Sequence, residues 1–305
     1  MGKNITIATL SLMTFGFSAF AAVKSSPPSS SATTYQNCVK YTLGMDSFGT
    51  TNPKDIASNF LNGALDQLEL LDPPSQAEVQ KRETCVLLSL QHGADANNTK
   101  YYTAPLLMAI SDKDVNDVQA LLQYKANPNV KDSAMTGSSK ISALQRACEG
   151  GNEDIAIALI NAGADPTFNA PLWAAASSAE SKVVAAMLKT GKVPVNQLTV
   201  FSEIGDDSET ALDASDSRVA ALNQYFTQFT ASSSISDKLD AANEILYANY
   251  VELPMLKTGT DPDAYLKNLL QKQTQVSSLL KSAGWSCHKP HCGVDLPDDD
   301  GSAGE

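Results

Sequence analysis

The chain has 305 residues, of which 43% are hydrophobic and 18% are charged. This composition excludes a chain that is disordered throughout, and the length allows one extended domain or two compact ones. The formal net charge of −12 repels phosphate backbones and anionic lipids, so we expect neither nucleic acid nor a membrane surface as the partner.

Residues 1–21 have the pattern of a secretory signal peptide. Lys3 supplies the positively charged N-terminal region, the run from Ile5 to Phe20 is apolar, and Ala19-Phe20-Ala21 is a small-x-small cleavage site. Polar residues interrupt the apolar run, which argues against the alternative of a membrane anchor. We expect cleavage, no membrane insertion of the mature chain, and export to the periplasm or the medium. Residues 22–34, rich in Ser, Pro and Thr, are predicted to be a flexible leader.

Export changes how the five cysteines are interpreted, because disulfides form in oxidising compartments. An odd number leaves at least one thiol unpaired within the chain. We predict a small loop closed by Cys287 and Cys292, worth about 2 kcal/mol, and a larger one closed by Cys38 and Cys85, worth about 4 kcal/mol. Cys148 is then left over, and its apolar helical surroundings predict a buried, inert thiol.

The apolar residues that follow the predicted leader are spaced as in helices. The segment from Tyr35 to Leu71 carries apolar residues at helical spacing and stops at Asp72-Pro73-Pro74, and a second helix follows from Gln76 to His92. We assign residues 35–77 to an N-terminal helical cap.

Two short patterns then recur along the chain. The first places a small or turn-forming residue before a leucine, at Leu106, Leu144, Leu172 and Leu212. The second closes the preceding unit with a polar turn, as in Gly163-Ala164-Asp165-Pro166 and, in variant forms, at residues 93–97, 125–130 and 191–196. Internal repetition at a spacing near 33 residues is typical of stacked helical units.

These patterns resemble the ankyrin repeat, which opens with Thr-Pro-Leu-His-x-Ala and ends with Leu-Leu-x-x-Gly-Ala-Asp-x-Asn. No unit here keeps the family's histidine, and Lys125 replaces the terminal glycine once. The resemblance implies an all-α ankyrin-repeat solenoid of four to five degenerate repeats over residues 78–229, with helical caps at both ends.

Three further helices are predicted after the repeats, over residues 219–229, 235–250 and 263–283. The last of these helices ends at Gly284-Trp285, as a degenerate outer helix of a repeat would. We assign residues 230–292 to a C-terminal helical cap, and residues 293–305 to a disordered acidic tail.

The chain carries few groups suited to catalysis or metal binding. Of its three histidines, His92 precedes a helix-ending glycine, where a capping or surface role is typical. His288 and His291 lie between Cys287 and Cys292, and that cluster could serve as a zinc site, but export favours the disulfide. We therefore predict no catalytic residue, no metal and no cofactor.

The resemblance also implies where a partner docks, because ankyrin proteins bind through the fingers between repeats and the inner helices. For Phe168 and Trp173, near the third inner helix, an alternative is that their rings fill the space left by the missing histidine. The positions that match these places are Tyr101, Tyr102, Ser111, Asp112, Lys140, Arg146, Glu149, Phe168, Trp173 and Phe201.

The sequence thus predicts an exported, non-enzymatic protein that binds another protein with a basic or mixed-charge surface. A periplasmic binder, inhibitor or immunity-type protein is one role that fits. A secreted effector that engages a host protein is a second. A metal-binding or enzymatic module in the C-terminal helical region is an alternative from a different class.

Overall fold

The computed structural model describes residues 35–41, 51–66, 75–99, 103–132, 141–168, 170–200, 208–229, 233–249 and 255–287. These residues belong to one unit, residues 33–305. The predicted signal peptide, leader and acidic tail lie outside the described residues, as do His288 and His291.

The described residues form twelve helices and two short strands. The helices are α1 (Tyr35–Tyr41), α2 (Pro53–Asp66), α3 (Gln76–Gln91), α4 (Pro105–Ser111), α5 (Val115–Gln123), α6 (Ala143–Glu149), α7 (Glu153–Asn161), α8 (Pro171–Ser177), α9 (Ser181–Lys189), α10 (Ala211–Gln228), α11 (Ile235–Asn249) and α12 (Pro262–Ser282). The strands β1 (Leu198–Val200) and β2 (Ser208–Thr210) pair antiparallel between α9 and α10. Within the described ranges, every helix is too short or too polar to cross a membrane.

The middle of the fold is a stack of helix pairs. The seven-residue inner helices α4, α6 and α8 each pack against the nine-residue outer helix that follows. Each inner helix also contacts the next inner helix, and each outer helix the next outer helix. The prediction of an all-α ankyrin-repeat solenoid is confirmed; the small β1–β2 sheet is an addition that the repeat pattern does not predict.

The recurring leucines are the centre of the shared core. Leu106, Leu144, Leu172 and Leu212 are each at most 3% exposed. They belong to one cluster that runs from α1 to α12. Apolar burial is worth about 25 cal/mol per Å². Because a single seven-residue helix has little area to bury alone, the pairs depend on one another for stability.

Polar side chains fix where the helices begin and end. Asp114 accepts hydrogen bonds from the backbone N–H groups of Asn116 and Asp117 and so starts α5, and Ser142 starts α6 in the same way. The outer helix α7 ends in a turn where Gly163 has φ +94°, a conformation that favours glycine.

The closing turns also join one repeat to the next. The side chain of Asn129 accepts a hydrogen bond from the backbone N–H of Asp165, over 2.7 Å. Asn196 accepts one from the backbone N–H of Ser286, over 2.8 Å, in the turn after α12. The last helix, α12, is therefore held by the same kind of hydrogen bond as a repeat, from a backbone N–H to an asparagine side chain. This agrees with its prediction as a degenerate outer helix.

The C-terminal helix α12 packs on α10, α9 and α8. A buried glutamine fixes its position: Nε2 of Gln273 donates to the carbonyl oxygen of Ala176 over 2.7 Å and to Oγ of Ser215 over 2.9 Å. The connecting helix α11 packs on α10 and α12 in a second, smaller cluster. Thus α10 and α12 form the last inner and outer pair, with α11 inserted between them.

The cysteines agree with the predicted disulfide framework where the structure describes them. Cys38 on α1 is bonded to Cys85 on α3, which ties α1 to the first outer helix. Cys287 is disulfide-bonded, and its predicted partner, Cys292, lies outside the described residues. Cys148 is a free, fully buried thiol whose pKa burial raises well above its ordinary value, as expected for an inert cysteine.

A buried arginine contacts three aspartates where α3 meets α5 and the turn before it. Arg82 is 1% exposed and forms ion pairs with Asp112, Asp114 and Asp117, the last with 3.0 Å between Nε and Oδ2. Burial raises the pKa of Asp117 to about 8, although the Arg82 charge opposes this change. The charges in this cluster depend on Arg82 for compensation.

A second buried carboxyl has no such partner. Glu180, in the turn before α9, is 3% exposed, and neither of its oxygens accepts a hydrogen bond of ordinary geometry from the described residues. The Cys148 thiol, a weak donor, lies beside it. Burial, reinforced by the charge of Glu153, raises the pKa of Glu180 to about 8. Glu180 is therefore mostly protonated in the folded protein at neutral pH.

Replacing Arg82 should be strongly destabilising. In Arg82→Met the side chain keeps most of its apolar stem but loses its charge, which leaves Asp112, Asp114 and Asp117 without their common partner. Breaking a buried ion pair from one side costs about 3–5 kcal/mol. We expect a loss of this size in the free energy of unfolding, measured by urea titration. The matched control, Lys189→Met on the exposed side of α9, should change it by less than about 0.5 kcal/mol. A loss below about 1 kcal/mol in Arg82→Met would contradict the assigned role.

Glu180 should make stability depend on pH. Its folded pKa of about 8 lies above the ordinary value of 4.5, so the folded state binds the proton more tightly than the unfolded chain. The contribution is fully present below pH 4.5 and is lost as the pH rises to 8. In Glu180→Gln this loss, on the order of 4 kcal/mol, should disappear.

Urea titrations between pH 4.5 and 8.5 test this, with Glu244→Gln, an exposed position on α11, as the control. Asp117 titrates in both proteins, so the difference between the wild-type and variant curves isolates Glu180. Parallel curves for wild type and Glu180→Gln would show that Glu180 is ionised in the folded protein.

Candidate partner-binding surface

The structure describes part of the predicted partner-binding set. Ser111, Asp112, Arg146, Glu149, Phe168 and Trp173 lie within the described residues. Tyr101, Tyr102, Lys140 and Phe201 lie outside them.

Two of the predicted residues, Arg146 and Phe168, each contact a residue at the start of the finger before α6. An isolated antiparallel bridge between Lys131 and Ser142 brings the two sides of this finger together. Lys131 lies over the Phe168 ring, with 3.3 Å from Nζ to the ring centroid. The next residue, Asp132, forms an ion pair with Arg146.

We call Lys131, Asp132, Arg146 and Phe168 the finger patch. It joins side chains from two successive repeats, because Lys131 and Asp132 precede α6 while Phe168 precedes α8. Lys131 is exposed, and Arg146 and Phe168 are half-buried. Cation–π contacts at exposed sites are worth about 0.5–1 kcal/mol, so the pair is held in place without being removed from solvent.

Trp173 lies on α8 at the position of the family's histidine. Its ring packs against the core cluster but stays half-buried. The guanidinium carbon of Arg218 lies 6.0 Å from the ring centroid, and Nη1 of Arg218 donates to the carbonyl oxygen of Ala214 over 2.8 Å. Trp173 therefore fills space in the repeat while its ring stays partly exposed.

Glu149 is linked to the same surface through Gln145. Nε2 of Gln145 donates to Oε1 of Glu149 over 2.7 Å, and Oε1 of Gln145 accepts from the backbone N–H of Ala170 over 3.4 Å. This bridge connects α6 with the residue that begins α8. It holds the Glu149 carboxylate against Gln145.

Ser111 and Asp112 have contacts elsewhere. The hydroxyl of Ser111 donates to the carbonyl oxygen of Leu107 in its own helix, over 3.0 Å. Asp112 belongs to the Arg82 cluster. Their contacts are therefore with α4 and α3 rather than with the finger patch.

Sequence reasoning missed Lys131, Asp132 and Arg218. The first two directly follow the closing motif that ends at Val130, and including the whole finger rather than its tip would have found them. Arg218 lies within the long helix α10, where no family motif marks it.

This surface offers two aromatic rings, cationic groups and two carboxylates, which together can stack, hydrogen-bond and form ion pairs. Among the residues that the structure describes, no cluster of three or more His, Cys, Asp or Glu side chains could hold a metal ion.

The comparison with protein-family models agrees with the repeat pattern. Residues 106–197 match the family model for ankyrin repeats in three copies. Among solved structures, the human ASB11 ankyrin repeat domain is similar, with 18% sequence identity over 68% of this chain and 81% of that chain, and a TM-score of 0.35. No curated protein matches the chain significantly in sequence.

Proposed function

Because residues 106–197 are ankyrin repeats, we propose that this chain is an exported, non-enzymatic protein that binds another protein through the finger patch and Trp173. Ankyrin repeats indicate a protein–protein interaction module. The observation that carries the choice of surface is the pairing of Lys131 with Phe168 next to the Arg146–Asp132 ion pair. Aromatic residues and arginine are enriched among the residues that dominate binding energy.

Two observations support export. The Cys38–Cys85 disulfide fits an oxidising compartment, and the first 21 residues have the pattern of a signal peptide. A periplasmic binder, inhibitor or immunity-type protein is the role that we favour. Fractionation of the producing cell tests it: the protein should stay in the periplasm, whereas recovery from the medium would favour a secreted effector.

The charge of the chain suggests the chemistry of the partner. A net charge of −12 favours approach by a basic surface and speeds association at low salt. The finger patch itself carries Lys131 and Arg146, which favour a carboxylate at the point of contact. We therefore propose a partner with a mixed-charge surface that places an acidic group within a basic surround.

Removing an aromatic face from this surface should weaken binding. We expect Trp173→Ala and Phe168→Ala each to raise the Kd for a partner captured from periplasmic extract by about 30-fold, the effect of losing a residue worth 2 kcal/mol or more. Binding can be measured by surface plasmon resonance, after circular dichroism has shown that each variant is folded.

The matched control is Tyr247→Ala on α11, which removes an aromatic ring that is 84% exposed and lies outside the repeats. Its Kd should stay within twofold of wild type. Equal affinity for all four proteins would overturn the assignment of this surface.

A further inference from the structure

A short helix covers the N-terminal end of the stack. The seven-residue helix α1 packs on α2 and on the first outer helix, α3. Because isolated helices shorter than about 12 residues are marginal in water, α1 depends on these contacts. A repeat stack needs its terminal apolar face covered, so the attachment of α1 decides whether this end is closed.

The attachment has a covalent and an aromatic component. The Cys38–Cys85 disulfide joins α1 to α3 over a sequence separation of 47 residues, and both cysteines belong to the shared apolar core. Tyr35 stacks on His92, with 3.9 Å between ring centroids, and meets the Phe60 ring edge-on, with centroids 6.1 Å apart. The helix is therefore held at its first and fourth residues.

The two components differ in strength. The covalent bond removes the entropy of closing a 47-residue loop, a contribution that grows with loop length. By contrast, Tyr35 is half-buried and His92 is exposed, so their stacked rings remain open to water. Without the bond, side-chain contacts of this size must offset the loss of backbone freedom in seven residues.

We propose that the Cys38–Cys85 disulfide is a redox switch for the N-terminal end of the stack. In the oxidised protein α1 is docked and this end is closed. In the reduced protein α1 leaves α2 and α3, and the side chains of Phe60 and Cys85 that it contacts become accessible to solvent. The repeats from α4 to α9 stay folded, because their core is shared among their own helices.

Thiol–disulfide exchange with a dithiol supplies the chemistry. One thiolate of the reductant attacks a sulfur of the Cys38–Cys85 bond and forms a mixed disulfide, and its second thiol then releases the remaining cysteine. The two cysteines gain two electrons and two protons, and the dithiol becomes a disulfide. Cys38 and Cys85 are at most 1% exposed, so attack requires transient opening of α1. Reduction of the folded protein is therefore slow.

The switch links the N-terminal end to the redox state of its surroundings. Disulfides persist in oxidising compartments and are kept reduced in the cytosol. The end of the stack is therefore closed only in an oxidising compartment. The proposed partner does not enter this argument, since the finger patch and Trp173 belong to later repeats.

Hydrogen–deuterium exchange of the full chain, read by mass spectrometry, tests the proposal. The samples are oxidised wild type, wild type reduced by dithiothreitol, and Cys38→Ala/Cys85→Ala. Dithiothreitol also reduces the bond at Cys287, so the double variant isolates the Cys38–Cys85 bond. We expect the amides of α1 to exchange about tenfold faster or more in the reduced and variant proteins. Those of α6 to α9 should stay within about threefold of oxidised wild type.

The matched control is Cys148→Ala, which makes the same truncation at another fully buried cysteine, in the middle of the stack. Its α1 amides should exchange as in oxidised wild type. The reduced sample is kept in dithiothreitol until iodoacetamide labelling of a parallel sample shows that Cys38 and Cys85 are free thiols.

Unchanged exchange of α1 in either the reduced wild type or the double variant would overturn the proposal. An equal loss of protection over α6 to α9, or loss of the helical circular dichroism signal, would also overturn it, because the bond would then be required by the whole fold. None of these results bears on binding through the finger patch.

Discussion

The structure depends on the sharing of one apolar core among helices that are too short to be stable alone. Isolated helices shorter than about 12 residues are marginal in water, and the inner helices have seven. Their leucines contact neighbours in sequence and in the next repeat, so each pair stabilises the next. A stack of this kind needs a helix to cover each end. At the C-terminal end this helix is α12, which is distant in sequence: its Gln273 donates a hydrogen bond to the carbonyl oxygen of Ala176, 97 residues earlier.

The parts of the fold that the sequence predicts are those specified by local chemistry. The leucine before each inner helix and the Gly-Ala-Asp turn after each outer helix recur because each repeat needs the same helix start and stop. The turn at Gly284-Trp285, which ends α12, follows the same rule. For this reason α12 could be predicted as a degenerate outer helix. The pairing of α10 with α12 across α11 could not be predicted, because periodicity does not specify which distant helices contact each other.

Charged groups that contact residues of other repeats or helices explain most of what sequence reasoning did not find. Asp112 is at an expected binding position in the repeat pattern, yet Arg82, 30 residues earlier, takes it into a structural ion cluster. Lys131 and Arg218 gain their roles by lying against Phe168 and Trp173, which are far along the chain or on another helix. Periodicity reports which side of a helix is apolar, but it does not report which charges meet across repeats.

The two buried acidic sites differ in how their charge is opposed. At Arg82 a single buried cation forms ion pairs with three aspartates, so the cluster is compensated only in part. At Glu180 the Cys148 thiol and the charge of Lys272 offset only part of the effect of burial. At both sites burial outweighs the nearby positive charge and raises the pKa of one carboxyl group, Asp117 or Glu180, to about 8. The same packing that stabilises the repeats therefore keeps two buried carboxyl groups mostly protonated at neutral pH.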